Sequence, residues 1–197
     1  MSVNVKKLQQ LDEVLSDVKK CRSCSLCESR NKVVFSKGCL DSDLMIVAES
    51  PGQEEDKYGW PLVGRSGKLL DRWMKNYLNW STFDSYVCNI LKCHPPDNRN
   101  PLPNEIDACF GFLERQIAII RPKIILALGA VASKTLLKNP NLRITQERGK
   151  LVNFQSGDYC CKLILTFHRA YLLRNGSKEN IEKVKSDFLI IKEELTK

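Results

Sequence analysis

The distribution of apolar residues divides the chain into short runs of strand length and longer stretches with helical spacing. The runs of strand length are LMIVA (44–48), YVCNIL (86–91), KIILAL (123–128) and KLILTF (162–167). Between them, apolar residues recur every three or four positions in 68–78, 104–120 and 130–137. Apolar strands that alternate with helices predict an α/β sandwich whose sheet is mainly parallel.

Amphipathic helices are predicted on either side of this alternating region. The first covers residues 4–20, with apolar positions at Val5, Leu8, Leu11, Leu15 and Val18. The last covers residues 178–195, and GKLVNF (149–154) predicts a further edge strand. The sequence has no repeat, low-complexity tract or linker, so we predict one domain over residues 1–197.

Polar or small residues lie at the ends of the four apolar runs, where the carboxyl ends of parallel strands would lie. They are Glu49-Ser50-Pro51-Gly52, Asn89 with Lys92-Cys93-His94, Gly129-Ala130 and His168-Arg169. Ligands of open parallel sheets bind beyond the carboxyl ends of the strands. The sequence therefore predicts a site at this edge of the sheet.

Composition narrows the class of protein. Of the 197 residues, 43% are hydrophobic and 27% are charged, which is typical of a globular protein. No apolar run approaches the ~20 residues of a membrane span, and MSVNVKKLQQ lacks the apolar centre of a signal peptide, so we predict a cytoplasmic protein. The net charge of +8 suits a polyanion, because Lys and Arg contacts to phosphates release counterions, although it equally fits a merely basic protein.

The nine cysteines of a protein in a reducing cytosol are better interpreted as ligands, catalytic groups or buried side chains than as disulfides. Cys21 and Cys24 form a C-x2-C pair within CRSCSLC. Cys93 lies in a proline-rich segment, and Cys109 lies on the helix predicted after it. Four cysteines from two distant segments could bind zinc or an iron–sulfur cluster, and their spacing does not separate these metals.

Two further motifs carry candidate chemistry. The loop 48–70 ends in Gly64-Arg65-Ser66-Gly67 at a helix start, where free backbone N–H groups would suit a phosphate. A surface loop is the alternative interpretation. His168 could donate a hydrogen bond beside a DNA-probing loop, and a structural histidine is the alternative there.

Taken in order, these motifs resemble the family-four uracil-DNA glycosylases. The order is C-x2-C, ESPGQEED with PLVGRSG, NILKCHPP with NR, a helix-borne cysteine, and FHRAYLLRN, over about residues 10 to 190. The resemblance implies a three-layer α/β/α sandwich around a four-stranded, mainly parallel sheet. It implies hydrolysis of the N-glycosidic bond of a flipped nucleotide, which leaves an abasic site in DNA. It also implies a [4Fe–4S] cluster held by Cys21, Cys24, Cys93 and Cys109, with Cys27 outside the ligand set.

The resemblance assigns roles around the departing base. Glu49 would position water or stabilise the cationic sugar, His168 would donate to the base oxygen, and Asn89 would read the Watson–Crick edge. The base pocket would comprise Ala48, Gly52, Glu55, Trp60 and Leu62, with Glu55 near C5 of uracil, where it helps to exclude thymine. DNA contacts would come from Arg65, Ser66, Gly67, Arg169, Tyr171, Leu172, Leu173 and Arg174, three of which (Tyr171, Leu172 and Leu173) are the candidate wedge.

Three departures from the family pattern keep the substrate open. Ala48 replaces a glycine, Trp60-Pro61-Leu62 replaces R-P-F, and Arg169 replaces a proline. Leu62 cannot stack as phenylalanine does, and stacking is worth about 1–3 kcal/mol per base. A modified pyrimidine is therefore an alternative to uracil, and a non-catalytic iron–sulfur DNA-binding protein is a second alternative. We expect a monomer that binds single- or double-stranded DNA.

Overall fold

A six-stranded sheet forms the centre of the molecule. The computed structural model describes residues 3–168, 171–172 and 176–197. Its strands are β1 (Ser36–Gly38), β2 (Leu44–Ala48), β3 (Tyr86–Asn89), β4 (Ile124–Leu128), β5 (Leu151–Ser156) and β6 (Tyr159–Thr166). They lie in the order β1-β3-β2-β4-β6-β5. The four inner strands are parallel, and each edge strand is antiparallel to its neighbour.

Helices connect the strands and cover both faces of the sheet. The α-helices are α1 (Val3–Lys20), α2 (Leu26–Ser29), α3 (Gln53–Tyr58), α4 (Arg65–Trp73), α5 (Pro103–Ile120), α6 (Gly129–Leu136), α7 (Ile144–Glu147) and α8 (Lys178–Leu195). A π-helical turn (Met74–Leu78) continues α4, and a 3₁₀ turn (Pro96–Asn98) precedes α5. No helix in the described part of the chain is both long enough and apolar enough to cross a membrane.

Strand residues alternate between two separate cores, because successive side chains point to opposite faces of a sheet. Met45 and Val47 join one core together with α1, α5 and α6. Leu44 and Ile46 join the other together with α4 and α8. The result is a three-layer α/β/α sandwich, which confirms the predicted class.

The sheet differs from the prediction in its number of strands. The four predicted apolar strands are the four parallel ones, and the predicted edge strand 149–154 corresponds to β5. β1 was not predicted, because three residues are too few to show an alternating pattern. β1 and β5 flank the parallel strands, so all four carboxyl ends still lie along one edge of the sheet.

Candidate functional site

A cavity of about 370 Å³ opens at the carboxyl ends of the parallel strands. Glu49 directly follows β2, Asn89 ends β3, and His168 lies two residues beyond β6. The backbone pairs Ala48 with Asn89, so both lie at the same level of the sheet. The described residues that line the cavity are Ala48, Glu49, Ser50, Gly52, Glu55, Leu62, Ser66, Asn89, Asn98, Asn100 and His168.

Asn89 presents an amide to the cavity that has no protein partner. Its side chain is buried, and neither Oδ1 nor Nδ2 has a hydrogen-bond partner among the described residues. Its backbone is fixed, since the buried Lys92 Nζ donates to the Asn89 carbonyl at 2.6 Å. A buried polar group left unpaired costs about 1–3 kcal/mol. The amide is therefore placed to bind a ligand that offers both a donor and an acceptor.

Glu49 occupies a desolvated position in the same cavity. The side chain is half-buried, and burial raises the pKa of its carboxyl. The Glu49 backbone carbonyl accepts from Leu91 N at 3.1 Å, which extends the pairing of β2 with the segment after β3. A carboxylate in this environment is a candidate general base or a partner for a developing cation.

Gly129 provides the space that His168 occupies. A Cβ built on Gly129 would lie 2.5 Å from His168 Cβ, and Gly129 has a φ of +89°. The start of α6 and the end of β6 can approach this closely only because residue 129 has no side chain. The position of the His168 ring therefore depends on Gly129.

Replacing Gly129 by alanine should displace His168 and lower the rate of the reaction at this site by about 10²-fold, since a misplacement of ~1 Å can cost that much. Gly157→Ala is the matched control, because Gly157 also has a positive φ (+60°) but no atom within 4 Å of an added Cβ. Turnover and thermal melting should be measured for both. Equal losses of rate in the two variants would contradict a positioning role for Gly129.

Glu55 joins the two loops that form one wall of the cavity. Its Oε1 accepts from Val63 N at 2.9 Å and Gly64 N at 2.8 Å, and its Oε2 accepts from Gly52 N at 3.1 Å. The carboxylate thus holds the start of α3 against the start of α4. The predicted position of Glu55 in the pocket wall agrees with this geometry, and its proximity to the base stays a prediction.

Leu62 lines the cavity in an unusual backbone conformation. The residue is buried and has a φ of +56°, which leucine rarely adopts. Its carbonyl lies against Gly67, where an added Cβ would overlap it, and it accepts a hydrogen bond from Lys37 Nζ at 3.2 Å. The backbone of Leu62 can therefore take this position only because residue 67 has no side chain. Ser66, which was predicted to contact DNA, also lines the cavity.

Asn98 and Asn100 are cavity residues that the sequence interpretation missed. An ion pair holds their loop, because Arg99 donates to both oxygens of the buried Glu105 at 2.6 and 2.9 Å. Glu105 Oε2 also accepts from Leu102 N at 2.8 Å, at the start of α5. The available signal was the position of both asparagines in the loop that follows the second parallel strand.

Several predicted residues lie elsewhere. Trp60 is not among the described residues that line the cavity, and its side chain is 56% exposed. Arg65 is exposed at the start of α4. Leu172 packs in the core beside α8, so the structure does not present it as a wedge. Tyr171 lines a smaller adjoining cavity together with Glu49 and His168. The predicted residues Arg169, Leu173 and Arg174 lie outside the described residues.

The four predicted cysteine ligands line one small cavity between the N-terminal segment and α5. Its described lining consists of Val18, Cys21, Ser23, Cys24, Cys27, Arg30, Lys92, Cys93, Ala108, Cys109 and Phe112. Cys27 was predicted to stand apart, but the structure places it here too. No group of three His, Cys, Asp or Glu side chains in the described part of the chain is arranged to hold a metal ion.

Donors surround the sulfur atoms of this cavity. Arg30 Nη1 donates to Cys93 Sγ at 3.2 Å, and Lys92 N donates to Cys109 Sγ at 3.3 Å. Burial raises the pKa of the Cys93 thiol, and it raises that of Cys109 to about 11. N–H donors and a guanidinium favour the thiolate form, which is the form that binds metals.

Comparisons of the sequence with known proteins point to one family. The profile of the uracil DNA glycosylase superfamily matches residues 35–191. A type-4 uracil-DNA glycosylase of Thermotoga maritima is 44% identical over 186 residues, which are 90% of this chain and 95% of that protein. The chain is also similar to a type-4 uracil-DNA glycosylase of Saccharolobus solfataricus, at 36% identity over 96% of this chain and 88% of that protein.

Proposed function

Because this chain belongs to the uracil DNA glycosylase superfamily, among its type-4 members, we propose that it removes uracil from DNA by hydrolysing the N-glycosidic bond. The enzyme is a DNA glycosylase of base-excision repair that leaves an abasic site. The observation that carries this proposal is the buried, unpartnered amide of Asn89 in a cavity shared with Glu49 and His168. Uracil offers a carbonyl acceptor next to an N–H donor, which an amide can pair with.

The reaction develops charge of opposite sign on the base and the sugar. As the C–N bond breaks, the base oxygen becomes anionic and a His168 hydrogen bond would stabilise it. The Glu49 carboxylate would stabilise the cation-like sugar and orient the attacking water. Asn89 would hold the base by its Watson–Crick edge, so that its position is fixed between these two groups. Flipping the nucleotide into the cavity costs a few kcal/mol, which contacts to the flanking DNA must offset.

DNA is the expected partner of this basic chain. The net charge is +8, and phosphate contacts from its lysine and arginine side chains would supply the sequence-independent part of the affinity. Arg65, Arg169 and Arg174 remain candidates for these contacts. None of the nine cysteines, all of which lie within the described residues, forms a disulfide, which supports our proposed placement of the enzyme in the reducing cytoplasm.

We propose that Cys21, Cys24, Cys93 and Cys109 hold a [4Fe–4S] cluster. The chemistry of the donor set fits, because four thiols from two remote segments line one small cavity, and Arg30 and Lys92 N–H groups donate to two of the sulfurs. When bound, the cluster supplies a link from the segment after α1 to Cys93 and to the first half of α5. Its ligands lie away from the base cavity, so the cluster has a structural role.

The test is base release from a uracil-containing oligonucleotide. Purified protein should convert U·G and single-stranded U substrates into alkali-labile strands and free uracil, identified by mass. The matched strands with thymine or cytosine at the same position should stay intact. Intact uracil strands in both contexts would refute the proposed activity.

The aliphatic wall at Leu62 favours a second substrate class, a modified pyrimidine, with the same chemistry. Leu62→Phe should then raise selectivity for uracil over 5-substituted pyrimidines by about tenfold or more, because the larger ring leaves less room for a 5-substituent, and exclusion of one such group is worth about 1–3 kcal/mol. Leu62→Met controls for side-chain size without a ring. Release rates across a panel of bases should be compared. An unchanged profile in Leu62→Phe would show that this wall does not select the base.

A further inference from the structure

A group of exposed aromatic side chains lies beside the pocket wall and has no role in the chemistry above. In the described part of the chain, the exposed aromatic side chains are Tyr58 (52%), Trp60 (56%) and Phe83 (66%). They come from two separate segments, the end of α3 with the turn that follows it, and the loop before β3. Exposed rings of this size carry a hydration cost unless a partner covers them.

Contacts from the segment 32–37 bring these two segments together. A Cβ on Gly59 would lie 3.3 Å from the Lys32 side chain, so Lys32 lies beside the turn that carries Tyr58 and Trp60. At the other end of the segment, Lys37 Nζ donates to the Leu62 carbonyl at 3.2 Å and lies 5.1 Å from the centroid of the Phe83 ring. The surface formed by Tyr58, Trp60, Phe83, Lys32 and Lys37 is called the aromatic platform below.

The platform is anchored to the fold. The buried Asp56 of α3 accepts from the backbone N–H groups of Asn31 at 3.0 Å and Lys32 at 3.3 Å. These hydrogen bonds fix residues 31 and 32 against α3. The hydrogen bond from Lys37 to the Leu62 carbonyl fixes the other end of the segment 32–37 against the pocket wall. Aromatic side chains on a fixed backbone bind with a low cost in conformational entropy.

A surface that combines aromatic rings with lysines fits a nucleic-acid strand with unpaired bases. Bases stack on aromatic faces whatever their identity, and the ammonium groups attract the phosphates between them. The carboxylate next to Phe83, Asp84, already accepts from Ser81 N at 2.6 Å and Ser81 Oγ at 2.8 Å. In a duplex the bases pair with each other and hide their faces, so the platform discriminates against paired DNA.

We propose that the aromatic platform binds unpaired nucleotides that flank the flipped uracil, and so gives the enzyme a preference for single-stranded DNA. The inference rests on the proposed function for its choice of DNA as partner. It adds a strand preference to that function. The pocket and the platform are connected through Leu62, which lines the cavity and whose carbonyl accepts the hydrogen bond from Lys37. The strand thus runs from the pocket directly onto the rings.

Binding of a uracil-free, single-stranded thymidine oligonucleotide isolates the platform from the base cavity. Trp60→Ala and Phe83→Ala should each weaken this binding by roughly 5- to 100-fold, while affinity for a duplex of matched length changes less than twofold. Trp60→Phe should keep most of the affinity. Leu189→Ala is the control, because Leu189 is also exposed (42%) but lies on α8.

Fluorescence of the parent protein provides a second measurement, because quenching there does not depend on the folding of any variant. Trp60 is the most exposed of the three tryptophans, so stacking of a base should quench emission in the parent protein and not in Trp60→Ala. Unchanged oligonucleotide affinity in Trp60→Ala and Phe83→Ala, or equal losses for single strand and duplex, would overturn the platform. Failure to release uracil would refute the enzyme activity alone, since these measurements use uracil-free DNA.

Discussion

Glu49→Gln should slow uracil release by about 10²–10⁴-fold, the usual contribution of a positioned acid or base, and should stabilise the protein at neutral pH. Glutamine keeps the shape of the side chain but cannot carry the negative charge that we propose stabilises the developing sugar cation. It also removes a carboxylate that burial makes costly to ionise. Single-turnover rates and thermal melting at pH 7 test both effects in one variant.

The pH dependence of this variant has a definite sign. Burial raises the folded-state pKa of Glu49 above its unfolded value of about 4.3, so the protonated form is favoured in the folded protein. Its contribution to stability is fully present below about pH 4.3 and is lost as the pH rises through the folded-state pKa. The rate should show the opposite dependence, because the active carboxylate appears only above the folded-state pKa.

Glu54→Gln is the matched control for Glu49. Glu54 follows Glu49 by five positions and lies in the first turn of α3. It is exposed and is not among the described residues that line the cavity. Its substitution should leave the rate and the acid limb of the pH profile unchanged. A Glu49→Gln enzyme with the parent acid limb would assign that limb to another group and contradict the role of Glu49.

Cys93→Ala should remove the proposed cluster and destabilise the protein by several kcal/mol, because binding of a structural metal group is coupled to folding. The substitution also leaves the guanidinium of Arg30 without its sulfur acceptor, while Arg30 still binds the Lys19 carbonyl at 3.0 Å. Iron content, absorbance near ~400 nm and thermal melting measure the loss. A colourless parent protein that contains stoichiometric zinc would show that these cysteines bind zinc and not an iron–sulfur cluster.

Loss of the Cys93 side chain should also affect the base cavity, because the neighbouring Lys92 contacts residues on both sides. Lys92 is fully buried, and its Nζ donates to the Asn89 carbonyl and to Gln116 Oε1, both at 2.6 Å. Disorder at Cys93 would loosen these bonds and with them the Asn89 amide that we propose reads the base. DNA affinity should therefore fall together with stability, before the chemical step is affected.

Cys88→Ala is the control that distinguishes loss of the cluster from loss of ordinary side-chain packing. Cys88 is also buried and lies on β3, but it is not among the described residues around the cysteine cavity. Its replacement should keep the iron and cost about 1 kcal/mol in stability, as expected for a small buried side chain. A Cys93→Ala protein that is stable and fully active would refute the structural role of the cluster.

The sequence alone was sufficient for the parallel core and for the edge where the site lies. Each inner strand is a nearly continuous apolar run, since both faces are covered by helices, and polar residues begin where the run ends. Glu49, Asn89 and His168 could therefore be placed together without knowledge of their distances. Their roles in catalysis stay predictions.

Only the tertiary structure decided which neighbouring side chains face inward. Trp60 and Leu62 are two positions apart, yet the left-handed backbone at Leu62 directs one into the cavity wall and leaves the other exposed. Leu172 was expected at the DNA but is buried in the core that α4 and α8 also join, and Cys27 was set aside but lines the cysteine cavity.

The difference has one physical reason. Strand and helix positions follow from local periodicity, which the sequence carries by itself. The orientation of a loop side chain depends on contacts between remote residues, such as Arg99 with Glu105 or Lys37 with the Leu62 carbonyl. The sequence thus determined the sheet and its reactive edge, and the tertiary contacts decided the shape of the pocket and the aromatic platform beside it.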